Sequence, residues 1–494
     1  MKKAELVFIP SPGRGHLVSM VEFAKTLVAR DDRFHITILI MKLPFEPKLS
    51  AYTDSLVASS TSDRIKFVDL TSRDHIVISE THPLLFMEIF IENHKPKVRN
   101  AVTAHFESNI DLDSPRLAGF VIDMFMTTMI DVANEFKVPT YVFFTSSAGF
   151  LGLTLHIQAH HDDKDGETNM DTTHFSQDSD AEFSVLGFLN PVPTSVFPGV
   201  FFDDASTAIF VNHARKIRKT KGVILNTYME LEYHAIHSLL RDSESPPLYS
   251  VGPIVSPNDD SSELLSARQY SDIMNWLDEQ SRSSVVFLCF GSMGFFDEDQ
   301  VKEIACGLEQ SGLNFLWSLR QPSPTNKFSS PKDYEDPTEV LPEGFLERTA
   351  SRGKIISWAP QVAILSHPAV GGFVSHCGWN SILESLWFGV PIAAWPLYSE
   401  QQLNAFEMVK ELGLAVEIRL DYVTGFYCKK EQTIVRAGEV EEGVRKLMEV
   451  AADDERRKRV KEMSEMCRKA LTAAGSSYSS LSGLIGDIID NNLP

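Results

Sequence analysis

Apolar runs that end at glycine or proline, each followed by residues with helical spacing, recur along the chain. The first run is Leu6–Ile9, a continuous apolar stretch of the kind expected for a strand buried on both faces. The segment 10–15 is rich in proline and glycine and interrupts it, and the apolar positions after His16 keep the spacing of an amphipathic helix. Further strands of the first half are predicted at His35–Ile40, Leu117–Ile122, Tyr141–Phe144 and Gly222–Leu225.

The second half of the chain repeats this opening. Ser284–Phe290 predicts a buried strand, and 291–294 predicts a tight glycine turn. The apolar positions of the helix after it lie one turn apart, at Val301, Ile304, Ala305 and Leu308. Strands and helices that alternate are typical of a parallel α/β sheet, so two consecutive doubly wound units are expected. Further strands are predicted at Phe315–Leu319, Lys354–Ser357, Gly372–Ser375 and Pro391–Ala394.

A segment rich in Pro, Asp and Ser, 252–268, predicts a linker between the two units. It divides the chain into an N-terminal domain over 1–251 and a C-terminal domain over 269–472. Beyond these, 473–494 contains a last amphipathic segment. Two polar segments are predicted to be long loops, at 160–179 and 321–336.

The chain is acidic, with 67 Asp and Glu residues against 46 Lys and Arg and a formal charge of -21. Such a surface repels phosphate backbones and anionic lipids, so neither nucleic acid nor stable insertion into a membrane is expected. An anionic ligand would need a local binding device, because the global field opposes it. The five cysteines are odd in number and widely spaced, which favours a reducing compartment and predicts a cytoplasmic protein.

The richest segment runs over the 44 residues from Trp358 to Gln401. At its centre, a predicted strand passes through His376, Cys377 and Gly378 into a helix whose free N–H groups and dipole would attract an anion. On that helix Asn380 and Ser381 add donors, and the carboxylate of Glu384 lies one turn further on. The alternative is that these residues only cap the helix while Trp379 packs in a core. The flat ring of Trp358 and the acid–amide pair Glu400–Gln401 favour a ligand site, because independent features agree.

The N-terminal turn lacks a dinucleotide fingerprint, because Val18 stands where the third glycine of Gly-x-Gly-x-x-Gly would fall. This argues against a dehydrogenase. His16 follows the first strand and Asp123 follows another, so both are expected at the sheet edge where open α/β sheets bind ligands. An Asp bonded to one imidazole nitrogen would prepare the other to accept a proton, although a lone His at a turn is more often structural or solvated.

Two further classes of site are disfavoured. A serine hydrolase would need a Gly-x-Ser-x-Gly elbow, which the sequence lacks. His156 and His160 could share one helix face, yet no HExxH pattern accompanies them, so a solvated helix end is favoured over a metal site. Phe86, Phe90, Phe188 and Phe197 are expected in the core, with some of them available to line an apolar pocket.

The segment 358–401 resembles, without a gap, the signature box of plant secondary-product UDP-glycosyltransferases, and the resemblance extends over the whole chain. It implies a GT-B fold, in which two Rossmann-like, doubly wound parallel-sheet domains face each other across a cleft. The domain 1–251 would then bind the acceptor and the domain 269–472 would bind the UDP-sugar. The terminal helix of 473–494 would return to the N-terminal domain.

The resemblance also implies a role for individual residues. His16 and Asp123 would form the catalytic dyad, and Thr145 would lie near the 6-hydroxyl of the sugar, although a strand-end threonine without this role stays open. Glu400 stands where the family often has Asp and preserves its charge. The implied donor contacts are Trp358 on uracil, Gln361 beside the base, Glu384 on the ribose, Ser292, His376, Asn380 and Ser381 at the diphosphate, Glu400 and Gln401 on the sugar, and Ala359, Gly378 and Trp379 elsewhere in the donor site.

The expected activity is therefore an inverting transfer of glucose from UDP-glucose to a hydroxyl of a small lipophilic phenolic, flavonoid or terpenoid, without a cofactor or a metal. The alternative is a non-catalytic protein of the same fold that binds a UDP-sugar or a metabolite. In the family, Gln at position 401 commonly accompanies glucose. Its amide offers an oxygen and an NH₂ group, so two adjacent hydroxyls could be bridged.

Overall fold

The structure is a computed structural model of the chain. It describes residues 3–43, 50, 53–57, 62–70, 82–107, 114–163, 181–256, 265–323, 330–424, 433–449 and 455–492.

The first sheet contains seven parallel strands. Ala4–Ile9 lies at its centre, and the strand order reverses between it and its neighbour Arg116–Asp123. Ligands bind to open α/β sheets at such a reversal, outside the carboxyl ends of the strands. The order across the sheet is Ile65–Asp69, Phe34–Ile40, Ala4–Ile9, Arg116–Asp123, Thr140–Phe144, Gly222–Leu225 and Leu248–Ser250.

The second sheet contains six parallel strands in the Rossmann order. Its reversal lies between Val285–Cys289 and Val370–Ser375, which pair in parallel from Val285 to Cys289. The order across it is Gly353–Ile356, Asn314–Ser318, Val285–Cys289, Val370–Ser375, Ile392–Ala394 and Ala415–Glu417. The two doubly wound parallel sheets expected from the sequence are thus confirmed.

Every strand predicted above is present, with its ends within two residues of the prediction. Two antiparallel pairs of two-residue strands were not predicted, Glu182–Phe183 with Val192–Pro193 and Arg320–Gln321 with Lys332–Asp333. Three strands of the two large sheets were also missed: Ile65–Asp69, Leu248–Ser250 and Ala415–Glu417. Each is the outermost strand of its sheet. Ile65–Asp69 is partly exposed and the other two have three residues each, so none shows a long apolar run.

Helices cover the faces of both sheets. The helix predicted from Val301 onwards spans Glu298–Ser311, and its four apolar marker residues are buried. The α-helices among the described residues are Arg14–Arg30, Pro83–Glu107, Ile130–Glu135, Ala148–Asp162, Asp204–Ile217, Tyr233–Arg241, Ala267–Asp278, Glu298–Ser311, Phe345–Thr349, Gln361–Ser366, Trp379–Phe388, Gln401–Phe406, Ala437–Met448, Glu455–Ala470 and Ser476–Asn492. Within this described part of the chain, no helix has both the length and the apolar character needed to cross a membrane.

The last helix, Ser476–Asn492, packs on the first sheet rather than on the second. Its residues Leu484 and Ile488 are fully buried in a core that they share with the first strand and the first helix. Tyr249, at the edge of the first sheet, donates a hydrogen bond to Asp487 of this helix. The chain therefore crosses back to its N-terminal half at the end.

The predicted linker and loops are only partly described. Residues 257–264 of the linker, 164–179 of the first loop and 324–329 of the second lie outside the described residues. The first helix of the second half begins at Ala267, within the predicted linker, and Ser266 caps its N-terminus in a capping box. The predicted domain boundaries stay a prediction.

Candidate active site

One cavity of about 330 Å³ lies between the carboxyl ends of the two sheets. From the first half of the chain, His16 and Thr145 line it. Asp123 does not line it but contacts His16 from behind. The residues predicted in the second half all line it: Ser292, Trp358, Ala359, Gln361, His376, Gly378, Trp379, Asn380, Ser381, Glu384, Glu400 and Gln401.

His16 and Asp123 meet because their strands are neighbours at the reversal of the first sheet. His16 lies in the first turn of helix Arg14–Arg30, and Asp123 is the last residue of its strand. The distance from His16 Nδ1 to Asp123 Oδ2 is 2.7 Å, and Asp123 is fully buried. Thr145, just beyond the next strand, places its Oγ1 2.9 Å from the same nitrogen. Thr145 therefore contacts His16 directly, and its implied contact with the sugar stays a prediction.

This geometry selects the tautomer of neutral His16 and raises the pKa of its ring. A carboxylate only accepts hydrogen bonds, so Nδ1 carries the proton and Nε2 is left as the acceptor. Burial disfavours the imidazolium, but the negative charge of Asp123, the hydrogen bond to it and the charge of Glu400 outweigh that penalty. The pKa of His16 is consequently raised above its usual value.

His376 is enclosed by two glycines that follow the carboxyl ends of two central strands of the second sheet. A Cβ atom on Gly291 or on Gly378 would come within 2.6 Å of His376 Nε2, and Gly291 has a φ of +77°. Gly378 therefore makes room for the ring of His376. Burial lowers the pKa of His376 to about 4, so the ring is neutral near pH 7 and can donate from one nitrogen.

Helix Trp379–Phe388 begins at this point with Gly378 as its N-cap, and no side chain caps it. Its first N–H groups have no partner within the helix and face the cavity end of the strand, which suits an anionic group. That this helix N-terminus is the local device that the acidic surface calls for stays a prediction.

Two residues predicted in the donor site bridge the two halves of the chain. Asn380 donates from Nδ2 to the carbonyl of Gly15 at 3.2 Å, and its Oδ1 accepts from Ser19 at 3.2 Å. Trp379 donates from Nε1 to the carbonyl of Asn226 at 2.7 Å. Trp379 is buried, as its core interpretation also expected. The side chains of this helix thus hold the cleft together as well as lining it.

The side chain of Gln361 is hydrogen-bonded to helix Trp379–Phe388. Its Nε2 donates to Ser381 Oγ at 2.9 Å and to Glu384 Oε2 at 2.7 Å. This pair of bonds fixes the carboxylate of Glu384 toward the cavity, where ribose hydroxyls are expected. Gln361 therefore orients the residue implied at the ribose.

The ring of Trp358 has two guanidinium neighbours. Arg14 lies 4.9 Å and Arg320 5.3 Å from the ring centroid, and both line the cavity. Neither arginine was identified from the sequence. Arg14 stands between the two glycines of the N-terminal turn, so its place beside His16 was the available signal. Arg320 gave none, because it lies between the predicted strand Phe315–Leu319 and the polar segment 321–336 that was predicted as a loop.

Glu400 and Gln401 line the cavity next to His16, but the Gln401 amide is only partly available. Its Oε1 accepts from the backbone N–H of Leu397 at 3.0 Å and of Tyr398 at 3.1 Å. The expectation that this amide bridges two hydroxyls with both ends is therefore wrong, because both acceptor positions of the oxygen are engaged. The NH₂ group alone can reach a sugar. Burial raises the pKa of the Glu400 carboxyl, against the hydrogen bond from Ser146 and the nearby His16.

The aromatic residues proposed for an acceptor pocket are core residues. Phe86, Phe90, Phe188 and Phe197 are buried, and none lines the cavity. Phe125 was missed: it is half-buried, and its ring centroid lies 5.6 Å from that of His16. Its position two residues after Asp123 was the signal that could have found it.

The histidine pair of helix Ala148–Asp162 does not extend to a metal-binding cluster. His160 Nε2 lies 3.0 Å from His156 Nε2, and burial lowers the pKa of His156 to about 4. In the part of the chain that the structure describes, no group of three or more His, Cys, Asp or Glu side chains could hold a metal ion.

Comparison with known proteins identifies the class to which this arrangement belongs. The family model for UDP-glucoronosyl and UDP-glucosyl transferase matches residues 264–429. UDP-glycosyltransferase 71A15 of Malus domestica is 53% identical over 99% of this chain and 100% of its own length. UDP-glucose flavonoid 3-O-glucosyltransferase 6 of Fragaria ananassa is 54% identical over 99% of each chain.

Solved structures give the same result. A UGT transferase from Siraitia grosvenorii in complex with UDP matches with a TM-score of 0.84 and 46% identity, over 99% of this chain and 100% of that one. Medicago truncatula UGT71G1 complexed with UDP-glucose matches with a TM-score of 0.84 and 40% identity, over 98% of each chain. The GT-B fold expected from the sequence is thereby confirmed. The chain belongs to the UDP-glycosyltransferase family of plants and is a glycosyltransferase.

Proposed function

We propose that the protein transfers glucose from UDP-glucose to a hydroxyl group of a small lipophilic metabolite, with inversion at the anomeric carbon. The observation that carries this proposal is the His16–Asp123 hydrogen bond at the wall of the cavity that the segment 358–401 lines. Relatives named as flavonoid and anthocyanidin glucosyltransferases support a glucosyl donor and a phenolic acceptor.

In this proposal His16 is the general base. With Nδ1–H bonded to Asp123, Nε2 removes the acceptor proton as the acceptor oxygen attacks the anomeric carbon. Asp123 stabilises the imidazolium that forms. A single displacement on an α-linked donor gives a β-glucoside and UDP. The half-buried ring of Phe125 beside His16 offers an apolar surface for the acceptor.

The charge that develops on UDP is held by the second half of the chain. The N-terminus of helix Trp379–Phe388, neutral His376 and the hydroxyls of Ser292 and Ser381 supply the donors. Trp358 is proposed to stack on uracil and Glu384 to bind the ribose. Because these groups supply the electrostatic stabilisation, we propose that transfer needs no divalent metal, and turnover in excess EDTA should equal turnover without it.

Glu400 and Gln401 are proposed to hold the glucosyl group. The Glu400 carboxylate accepts from sugar hydroxyls, while the Gln401 NH₂ group donates to one of them. Both residues follow the strand Ile392–Ala394 and reach the cavity beside His16. The sugar would thus lie between the base and the diphosphate.

Release of UDP tests the function. UDP-glucose is incubated with and without a panel of phenols, flavonoids and terpenoids, and UDP and glucoside are measured together. We expect UDP release only when an acceptor hydroxyl is present, with a β-linked product. Tight binding of UDP-glucose with no transfer to any member of the panel would favour a non-catalytic binding protein instead.

We also propose a cytoplasmic location. The support is chemical: four of the five cysteines lie in the described part of the chain, and all four are free thiols, as expected in a reducing compartment. A fluorescent fusion that enters the secretory pathway would contradict this.

A further inference from the structure

Three consecutive hydroxyl residues join the fifth strand of the first sheet to the next helix. Thr145, Ser146 and Ser147 follow Thr140–Phe144 and precede Ala148–Asp162. All three side chains are buried. A buried hydroxyl needs a partner, so the contacts of this hydroxyl triplet show what it does.

The first hydroxyl contacts the proposed base. Thr145 Oγ1 lies 2.9 Å from His16 Nδ1, the nitrogen that also bonds Asp123. The triplet is therefore anchored to the side of His16 that faces away from the acceptor.

The second hydroxyl reaches across the cleft to the sugar side. Ser146 donates to Glu400 Oε1 at 3.1 Å. Glu400 lines the cavity beside His16, and a carboxylate has two oxygens that can each accept. A bond on Oε1 fixes the plane of the carboxylate and so the direction in which Oε2 points.

The third hydroxyl reaches the loop at the diphosphate side through one intermediate. Ser147 donates to Asn404 Oδ1 at 3.0 Å, and Asn404 Nδ2 donates to the carbonyl of Cys377 at 3.1 Å. Cys377 has a φ of +60°, a left-handed conformation that is unfavourable for a residue other than glycine. The residue after it is Gly378, the N-cap of helix Trp379–Phe388. The bond from Asn404 thus holds the backbone of the loop that aims the helix N-terminus into the cavity.

The partners of Ser146 and Ser147 both belong to the helix that begins at the end of the segment 358–401. Glu400 is the N-cap of helix Gln401–Phe406, and Asn404 lies one turn later on the same face. A slip of one residue between the segment 145–147 and the helix Gln401–Phe406 would break both contacts at once. The register between the base and both parts of the donor site is therefore set by one short segment.

We propose that Ser146 and Ser147 are positioning residues of the transfer reaction, contributed by the half of the chain that carries the base. Ser146 orients the Glu400 carboxylate for the sugar, and Ser147 orients the diphosphate loop through Asn404. This inference rests on the proposed function, but its test uses binding alone. It also predicts that Ser146 affects the binding of the sugar part of the donor and that Ser147 affects the binding of the UDP part.

The experiment compares the affinities for UDP and for UDP-glucose by calorimetry in the absence of acceptor. Ser146→Ala is expected to weaken UDP-glucose about 3- to 30-fold and to leave UDP within about twofold, because only the sugar loses a well-placed partner. Ser147→Ala is expected to weaken both ligands by a similar factor, because the loop at the diphosphate is loosened. Ser479→Ala, exposed on the last helix, is the matched control and should change neither affinity.

Two further variants separate positioning from folding. Ser147 also caps helix Ala148–Asp162 by accepting from Phe150 N, so its loss can destabilise that helix. Asn404→Ala leaves the cap intact and should reproduce the loss of UDP affinity. In a Glu400→Ala background, Ser146→Ala should have no further effect on UDP-glucose affinity, because its partner is already gone.

Equal losses of UDP and UDP-glucose affinity in Ser146→Ala, or an undiminished effect of that change in the Glu400→Ala background, would overturn the role of Ser146. Normal UDP affinity in both Ser147→Ala and Asn404→Ala would overturn that of Ser147. Failure of the wild-type protein to transfer glucose would count against the proposed function and leave these binding results to be judged separately.

Discussion

The surroundings of His16 match what its proposed role in proton transfer requires. One nitrogen is bound to a buried carboxylate, and the pKa of the ring is raised by Asp123 and Glu400 together. Because an acidic group of the second domain contributes to this shift, the strength of the base depends on how the two halves of the chain meet.

Loss of the base should separate turnover from binding. His16→Ala is expected to lower kcat by about 10²–10⁴-fold, the usual contribution of a general base, while the Kd for UDP stays unchanged. The reason is that the proposed UDP contacts lie on the other sheet. Asp123→Asn serves as the graded variant, with a smaller loss for phenols than for aliphatic alcohols because phenols ionise at about pH 10. Wild-type turnover of an aliphatic alcohol by His16→Ala would refute the assignment.

Gln401 should contribute to donor choice through its NH₂ group alone. We expect kcat/KM for UDP-glucose to exceed that for UDP-galactose by about 10- to 100-fold, because the two differ in one hydroxyl and an unpaired buried polar group costs about 1–3 kcal/mol. Gln401→Glu keeps an acceptor for the N–H groups of Leu397 and Tyr398 and removes the NH₂ group that is proposed to reach the sugar. It should lower turnover and the glucose preference with little change in UDP affinity. Competition kinetics with both donors measures this, and a galactose preference in the wild type would contradict it.

At the scale of elements, the last helix is a part of the N-terminal core although it ends the chain. Its buried residues share one core with the first strand, and Arg30 of the first helix lies over the ring of Tyr478 at 3.3 Å. It contributes no residue to the cavity. Its expected effect is therefore on stability rather than on ligand binding.

Leu484→Ala tests this separation. Leu484 is fully buried, so its truncation should cost about 2–5 kcal/mol of stability by leaving a cavity. Thermal melting should show the loss, while the UDP affinity measured well below the melting temperature stays the same. Ser479→Ala on the exposed face of the same helix should melt like the wild type. A fall in UDP affinity without a change in melting would contradict this account.

At the scale of the whole molecule, two buried carboxyl groups meet where the halves of the chain join. Glu232 accepts from the N–H of Gly149 at 2.9 Å, and Glu407 begins the π-helical turn Glu407–Glu411. The Oε2 atoms of both are buried and find no donor among the described residues. Burial raises the pKa of Glu232 to about 7, and burial together with the charge of Glu232 raises that of Glu407 well above its ordinary value. The pair therefore keeps a proton near neutral pH.

This pair should make the assembled molecule less stable as the pH rises. Below about pH 4.5 both carboxyls are protonated in the folded and unfolded chains, so they cost nothing there. From about pH 4.5 upward the unfolded chain ionises first, and stability falls through the raised folded pKa values. Glu407→Gln should flatten this fall and raise the melting temperature at pH 8 by about 2–4 °C.

Melting curves of wild type and variant between pH 5 and 8.5 measure the effect. Glu462→Gln, at an exposed position of helix Glu455–Ala470, is the control and should reproduce the wild-type curve. A Glu407→Gln curve that runs parallel to that of the wild type would show that the pair does not govern the pH dependence.

Much of this protein could be predicted from local pattern. Buried parallel strands are continuous apolar runs, so the central strands of both sheets were found, and short or partly exposed outer strands such as Ile65–Asp69 were not. The segment 358–401 carries enough chemistry in one stretch to indicate an anion and sugar site. His16 and Asp123 could be paired because the carboxyl ends of parallel strands share one edge.

Only the tertiary structure decided how these groups are used. Arg14 and Arg320 reach the ring of Trp358 from different parts of the chain, and the Gln401 oxygen is taken by two backbone N–H groups. The contacts of Ser146 and Ser147 join positions more than 250 residues apart, 254 and 257 along the chain. Sequence determines which chemical groups a strand end or helix start presents, because that depends on neighbours along the chain. Which groups pair across the cleft depends on how two independently patterned sheets pack, and no local spacing encodes that.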